Sequence, residues 1–370
     1  MVNSRKPFVD DVTDSISDVL GAGRQSLDSI GKDADLLGSV AESLTGGGKR
    51  FRARLAYWGW RAASSHGEPY PDSDGDADNS LVVRLATGLE LFHAAALVHD
   101  DVIDNSDTRR GIPAAHRQFE KIHVDRDFVG DSAIYGTSSA ILLGDLLLAW
   151  ADDQFLSVAL EVASESRDAF RNELRTMRTD VTAGQFLDNH DSSAWLTLDG
   201  EAAVDRAQRV VMFKSAKYSV EAPLVLGAIV GNAPPSFIES LRLFALPLGF
   251  AFQMRDDMLG VFGDEAETGK PAGDDLREGK RTVLVAMARR RGDRSTVSVF
   301  DELIGDPTLT NQQVDMLRAS LISTGAADEL EDLIELSRVE ALKALDAMRL
   351  DPVVDGELRA MVDAITTRTV

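Results

Sequence analysis

Between Glu90 and Gly111 the chain reads ELFHAAALVHDDVIDNSDTRRG. An apolar run closes on Asp100, Asp101, Asp104 and Asp107, and Arg109 and Arg110 follow. The run has helical spacing, so the acids gather near a helix C-terminus, where the backbone dipole is already negative. On a helix Asp100 and Asp104 lie one turn apart, and Asp101 lies three residues before Asp104. Carboxylates so spaced can converge on one point, and they repel unless a cation sits between them. Oxygen donors without His or Cys select a hard ion, Mg2+ first. A solvated acidic helix end is the ordinary alternative.

The pattern recurs. FAFQMRDDMLGVFGD ends a second apolar run on Asp256 and Asp257, with Asp264 beyond. Basic residues follow again, as Lys270, Lys280 and Arg281 in TGKPAGDDLREGKRT. Acid pairs beside cations suit a diphosphate, bridged to the acids by Mg2+ and gripped by Arg and Lys. A third cluster, TGGGKRFRARLAYWGW, sets Gly46, Gly47 and Gly48 before Lys49, Arg50, Arg52 and Arg54. Glycines ahead of a helix let backbone N–H groups approach an anion. It is not a P-loop, because Ser43 stands where the first Gly belongs and Arg50 where Ser or Thr is needed. Taken alone, it reads as a capped basic helix. Together the clusters suggest one diphosphate site with metals and a second without.

Helices must position these groups. Ser80 to Asp104, Ala133 to Leu160, Arg167 to Asp188, Ala202 to Lys217, Ser236 to Val261, Asn311 to Ile322 and Ala326 to Met348 all repeat apolar residues at three- and four-residue steps. No convincing alternating strand pattern flanks the Asp-Gly pairs at Asp74 and Asp199. Pro247 falls inside a helical run and is a candidate kink. The expected fold class is all-α. Residues 64–80, rich in Gly, Pro and Asp, read as an exposed loop without the EF-hand pattern.

Composition narrows the function classes. The formal net charge of −22 argues against nucleic-acid binding. The absence of cysteine excludes disulfides and thiolate metal sites and fits a reducing cytoplasm. The N-terminal MVNSRKPFVDDV has no apolar core of a signal peptide. Leu81 to His99 is the longest apolar candidate, yet it contains Arg84, Glu90 and His93, so no membrane span is expected. His66, His116, His123 and His190 lack paired metal spacing and are expected on the surface or in loops. Trp58 and Trp60 read as packing residues.

The chain resembles the trans-isoprenyl diphosphate synthases, or polyprenyl synthetases. GGGKRFR, ELFHAAALVHDDVIDNSDTRRG, GDLLL, GQFLD, FKSA, FQMRDD and GKPAGDDLREGK occur in the family's order between about residues 46 and 282. The flanking regions are helical and carry no readable motif. The resemblance implies one domain over residues 1–370, a bundle of long helices around a deep central cavity, usually a homodimer. It also implies head-to-tail condensation of isopentenyl diphosphate with an allylic diphosphate. Asp100, Asp101 and Asp104 would form the first aspartate-rich motif, and Asp256 and Asp257 would begin the second. Together they would hold Mg2+, three ions per site, on the allylic diphosphate, with Asp100, Asp104 and Asp256 as the direct ligands. Arg109, Lys214, Lys270 and Lys280 would contact the same diphosphate. Lys49, Arg52, His93 and Arg110 would hold isopentenyl diphosphate. Gln185, Asp188, Ser215 and Gln253 would line the reaction centre, where the Lys214 carbonyl, Ser215 and Gln253 would face the carbocation.

Two departures stand out. The second motif is usually DDxxD and here reads DDMLG, with Gly260 in place of the last acid, while Ser215 stands where Thr is common. The first change puts metal affinity in question. Ala96 and Ala95, four and five residues before Asp100, lie one turn deeper and leave the cavity open where shorter-product members often place an aromatic. Phe92, a further turn down, is the candidate floor, with ordinary core packing as its alternative. Twenty carbons, geranylgeranyl diphosphate, is the expected product, ahead of farnesyl or longer products. A class I terpene cyclase needs no second diphosphate site, a non-catalytic partner subunit would have lost the first motif, and an acidic structural helical protein leaves the paired motifs unexplained.

Overall fold

The computed structural model describes residues 7–64, 79–263 and 273–367. In chain order the helices are α1 (Phe8–Ile30), α2 (Asp35–Thr45), α3 (Phe51–Ser64), α4 (Ser80–Ile103), α5 (Ala115–Asp125), α6 (Ser132–Glu161), α7 (Arg167–Ala194), α8 (Gly200–Val210), a π-helical segment (Val211–Glu221), α9 (Ala222–Val230) and α10 (Pro235–Phe262). Then come α11 (Asp274–Glu278), α12 (Val283–Arg291), α13 (Arg294–Leu303), α14 (Asn311–Ser323), α15 (Ala326–Met348) and α16 (Pro352–Thr366). The all-α expectation holds. Among the described residues the one β ladder is a two-residue hairpin, β1 (Thr108–Arg109) with β2 (Ile112–Pro113), too short for alternation to reveal. Of the loop expected at residues 64–80, residues 65–78 lie outside the described residues, and Ser64 and Ser80 at its ends belong to α3 and α4.

The chain divides into two compact units. Unit 1 comprises residues 1–174 and 223–238, and unit 2 comprises residues 175–222 and 239–370. In unit 1, α4 packs along α6 and against α3 and α1, and α5 lies on α6. Gly59 and Gly227 let α3 and α9 approach until backbone touches backbone, Gly59 on Leu224 and Gly227 on Ala56. In unit 2 a core of Ala251, Met254, Met258 and Val261 from α10, Val283 to Ala288 from α12 and Leu330 and Ile334 from α15 is fully enclosed. Burying that apolar surface stabilises the unit by roughly 1.5–3 kcal/mol per large side chain.

Among the described residues, three helices, α4, α6 and α10, are long and apolar enough to cross a membrane by length and composition. Burial distinguishes them. The apolar window of α4 is 67% buried within the protein, that of α6 only 28%. Ile134, Ile141, Leu142, Leu156 and Leu160 are exposed along α6, with exposed Asp145, Asp152 and Asp153 between the two groups.

The run expected as one helix from Ala202 to Lys217 changes character at Val211, where α8 passes into the π-helical segment. A π-helix shifts the backbone bonds to i→i+5, and such segments frequently mark functional positions. Glycines hold this one on two sides. A Cβ at Gly184 of α7 would overlap the Lys214 backbone, and one at Gly249 of α10 would lie 2.7 Å from the Ala216 Cα. Gly249→Ala should therefore cost about 1–3 kcal/mol of stability by overpacking. Chemical denaturation measures it, and an unchanged midpoint would mean that the close approach is dispensable.

Candidate active site

In unit 1 the two acids of the first pair have different surroundings. Asp101 is 2% exposed, while the Asp100 side chain is 17% exposed. The Arg109 guanidinium lies between them. Its Nε donates to Asp101 Oδ1 at 2.9 Å, a second nitrogen contacts the same oxygen, and Asp100 Oδ2 stands 3.6 Å away. The hairpin delivers that arginine. Arg110 (φ 53°) and Gly111 (φ 75°) form its two-residue turn, both left-handed, which matches the twist of paired strands. Asp104 caps α4 and donates its N–H to the Asp100 carbonyl at 2.8 Å. Because Asp101 turns to Arg109, the convergence of three carboxylates expected from spacing does not occur. Among the described residues no three acidic or imidazole groups lie close enough to hold a metal ion.

The basic cluster lies in the same unit. Gly47 (φ 102°), Gly48 (φ 97°) and Arg50 (φ 47°) take left-handed conformations ahead of α3. Arg50, without a role in the sequence reading, is buried and donates to the Thr45 carbonyl at 2.8 Å. Glu90 of α4, 7% exposed, holds it from the other side at 3.5 Å and accepts from the Ala53 N–H at 3.2 Å. This buried pair ties the loop to α4. It leaves Lys49 exposed, while Arg52 is buried. The Arg110 guanidinium lies against Gly48, 2.7 Å from where a Cβ would stand. Burial first, then Arg52, Arg110, Arg109 and Arg50, push the His93 imidazole well below its ordinary pKa. His93 is thus neutral among four guanidinium groups, an environment made for an anion. A cavity between α2, α4 and the hairpin is lined by Gly46, Ala94, Asp101, Arg109 and Arg110.

Unit 2 repeats the arrangement of the first acid pair. Asp256 is exposed, whereas Asp257 is 5% exposed and accepts a hydrogen bond from the Gln253 amide at 2.8 Å. Burial, aided by the charges of Asp275 and Asp256, pushes the Asp257 carboxyl well above the usual range against the effect of that hydrogen bond. From the π-helical segment Lys214 reaches Asp188 of α7 at 2.6 Å, and Lys217 reaches Asp180 at 2.8 Å. Ser215 is buried beside Lys214, and Gln185 is half-buried one turn before Asp188. Lys280 lies 2.8 Å from Glu278 and 3.3 Å from Asp275. Lys270 lies outside the described residues.

Phe92 and Ala95 are buried in unit 1 and Ala96 is half-buried. One turn below Phe92, Gly88 meets the Phe155 ring of α6. Two histidine expectations fail. His116 and His123 are 4% and 5% exposed, enclosed where α5 lies on α6, and the His123 ring sits among Phe128 and Tyr135. Isolated histidines in an amphipathic helix carry no sequence signal for which face they take. His190 is exposed, and His66 lies outside the described residues.

The donor chemistry fits Mg2+. Each pair offers one carboxylate accessible from solvent and keeps the other fixed inside, and all donors are oxygen.

Comparison with known proteins agrees with this chemistry. The sequence profile of the polyprenyl synthetases matches residues 34–321. The chain is 36% identical to a geranylgeranyl pyrophosphate synthase of Corynebacterium glutamicum solved with isoprenyl diphosphate and magnesium, and the two folds agree with a TM-score of 0.89 over 98% of this chain and 99% of that one. It is 27% identical over 332 residues to the geranylfarnesyl diphosphate synthase of Aeropyrum pernix, covering 89% of this chain and 92% of that protein. It is 26% identical over 340 residues to the octaprenyl diphosphate synthase of Escherichia coli, covering 90% of each. Fold and relatives define a prenyltransferase that makes isoprenyl diphosphates. The chain belongs to the polyprenyl synthetase family.

The His93 environment has a consequence for pH. Its folded pKa lies below the unfolded value near 6.5, so below that pH the unfolded chain binds a proton that the folded one refuses. Stability is therefore present above about pH 6.5 and falls with acidification. Thermal unfolding between pH 7 and pH 5 should show a shallower loss for His93→Gln than for the wild type. Equal slopes would show that His93 titrates normally.

Proposed function

We propose that the enzyme condenses isopentenyl diphosphate with allylic diphosphates by a Mg2+-assisted head-to-tail reaction and stops at geranylgeranyl diphosphate. The observation that carries the reaction is the matched build of the two acid pairs, each with a fixed inner carboxylate and an outer one reachable from water. In this reading Asp100, Asp104 and Asp256 are the metal ligands, and Asp101 and Asp257 set their positions. Bound Mg2+ would supply charge neutralisation on the departing diphosphate. Arg109, Lys214, Lys270 and Lys280 bind the allylic diphosphate, and Lys49, Arg52, His93 and Arg110 bind isopentenyl diphosphate.

The allylic C–O bond breaks, the double bond of isopentenyl diphosphate attacks the resulting cation, and a new C–C bond forms. The proton then lost goes to the released diphosphate, so no protein base is assigned. The Lys214 carbonyl, Ser215 and Gln253 turn oxygen dipoles toward the cation, with Gln185 and Asp188 beside them. A π-helical segment under Lys214 and Ser215 supports that role, because the altered bonding pattern frees backbone carbonyls from their usual partners.

Product length rests on Ala95 and Ala96 above Phe92. The exposed apolar side chains of α6, two groups separated by Asp145, Asp152 and Asp153, support a homodimer, since large exposed apolar residues gathered on one helix mark an interaction surface. We assign the enzyme to the cytoplasm, consistent with a chain without cysteine.

Asp100→Ala and Asp104→Ala should each lower turnover by at least about a hundredfold, the scale of losing electrostatic stabilisation of a leaving group. Near-normal rates would remove the metal assignment. Incubation with isopentenyl diphosphate, Mg2+ and dimethylallyl, geranyl or farnesyl diphosphate in turn should give a twenty-carbon alcohol after dephosphorylation. Ala96→Phe should shorten that product and Phe92→Ala lengthen it; unchanged products would place the floor elsewhere. A hydrocarbon released without condensation would indicate a cyclase. Light scattering should report a dimer that Leu142→Asp weakens, and a wild-type monomer would contradict the α6 interface.

A further inference from the structure

We propose that Asp275 supplies the negative charge that the second acidic motif lacks at position 260. The inference rests on the Mg2+-assisted reading above. Position 260 lies one helical turn after Asp256, on the same face of α10. An acid there would act beside Asp256. The chain has glycine instead, and the space is filled from elsewhere. A Cβ at Gly260 would collide with the Asp275 carboxylate, whose Oδ1 would stand 3.1 Å from it. The Asp275 side chain thus begins in α11, outside the motif in sequence, and ends where a side chain at 260 would begin.

Asp275 is held there by its surroundings. Gly273 (φ 75°) and Gly279 (φ 78°) turn the backbone at each end of the five-residue α11. The Leu276 carbonyl accepts from Gly305 at 2.9 Å, and the Asp275 carbonyl accepts from the Lys280 N–H at 3.0 Å. The carboxylate itself accepts from Lys280 Nζ at 3.3 Å and is 14% exposed. With Glu278, 2.8 Å from the same nitrogen, it therefore also holds a lysine assigned to the allylic diphosphate. Asp275 acts as a positioning residue. It adds to the potential that draws the divalent ion to Asp256 and it orients Lys280, and no direct bond from Asp275 to the ion is required.

This assignment gives a counterintuitive result for the obvious repair. Gly260→Asp restores the usual motif on paper, but it drives a second carboxylate into space that Asp275 already occupies. The test is calorimetric binding of an allylic thiodiphosphate, which binds without ionising, at a series of Mg2+ concentrations. Asp275→Asn keeps the shape and removes the charge. It should raise the Mg2+ concentration for half-saturation by about tenfold or more, as loss of a group supporting a metal site does, with an unchanged melting temperature. Gly260→Asp alone should also raise it. The double variant Gly260→Asp with Asp275→Gly should bring it most of the way back. A wild-type Mg2+ response in Asp275→Asn, or improved binding in Gly260→Asp alone, would overturn the assignment while leaving the synthase reading intact. A wild-type protein that binds the thiodiphosphate without any need for Mg2+ would overturn both.

Discussion

Each acid pair buries one carboxylate near the C-terminal end of an apolar helix, and much of the local structure answers the cost of doing so. The helix dipole places about half a negative charge at that end, and taking an ion out of water costs several kcal/mol before any partner is found. Asp101 is answered by Arg109, brought back by a two-residue hairpin whose turn holds Arg110 in a left-handed conformation worth roughly 1–2 kcal/mol of strain. Asp257 is answered by Gln253 and by a raised pKa that favours its protonated form. In return, the outer acids Asp100 and Asp256 stand at fixed heights on rigid helices. In the proposed reading, each is the carboxylate that a cation would meet in its own unit.

The basic half follows the same logic with the signs reversed. Arg50 is buried against Glu90 and the Thr45 carbonyl, which locks the glycine loop and sets Lys49 and Arg52. Burial first, and then four surrounding arginines, disfavour protonation of His93, so the cluster's positive charge comes from groups that do not titrate near neutrality. In a chain with a net charge of −22, this local concentration of cations is what an anionic substrate would meet as a distinct feature.

The long helices were legible because their apolar residues repeat without interruption. Ala326 to Met348 matches α15 at both ends, and Ser80 to Asp104 differs from α4 by one residue. The acid pairs were legible as pairs, but which member turns inward was not, since adjacent helical residues differ by about 100° and the pattern does not fix the phase. The hairpin at Arg110 escaped because strands of two residues have no alternation. The π-helical segment escaped because an i→i+5 bond leaves no period in the sequence. Glu90 beneath Arg50 and Asp275 beneath Gly260 depend on contacts between distant residues, so local spacing carries no trace of them. His116 and His123 were misplaced on the surface for want of any signal for their face.

In the proposed function the outer acids would bind a divalent ion together with a diphosphate. Thermal unfolding of the wild-type protein with Mg2+ alone, with inorganic diphosphate alone and with both tests it directly, because a ligand that binds only the folded state raises the melting temperature in proportion to its binding free energy. The two together are expected to raise the melting temperature by more than the sum of their separate shifts. Strictly additive shifts, or no shift with both present, would contradict it.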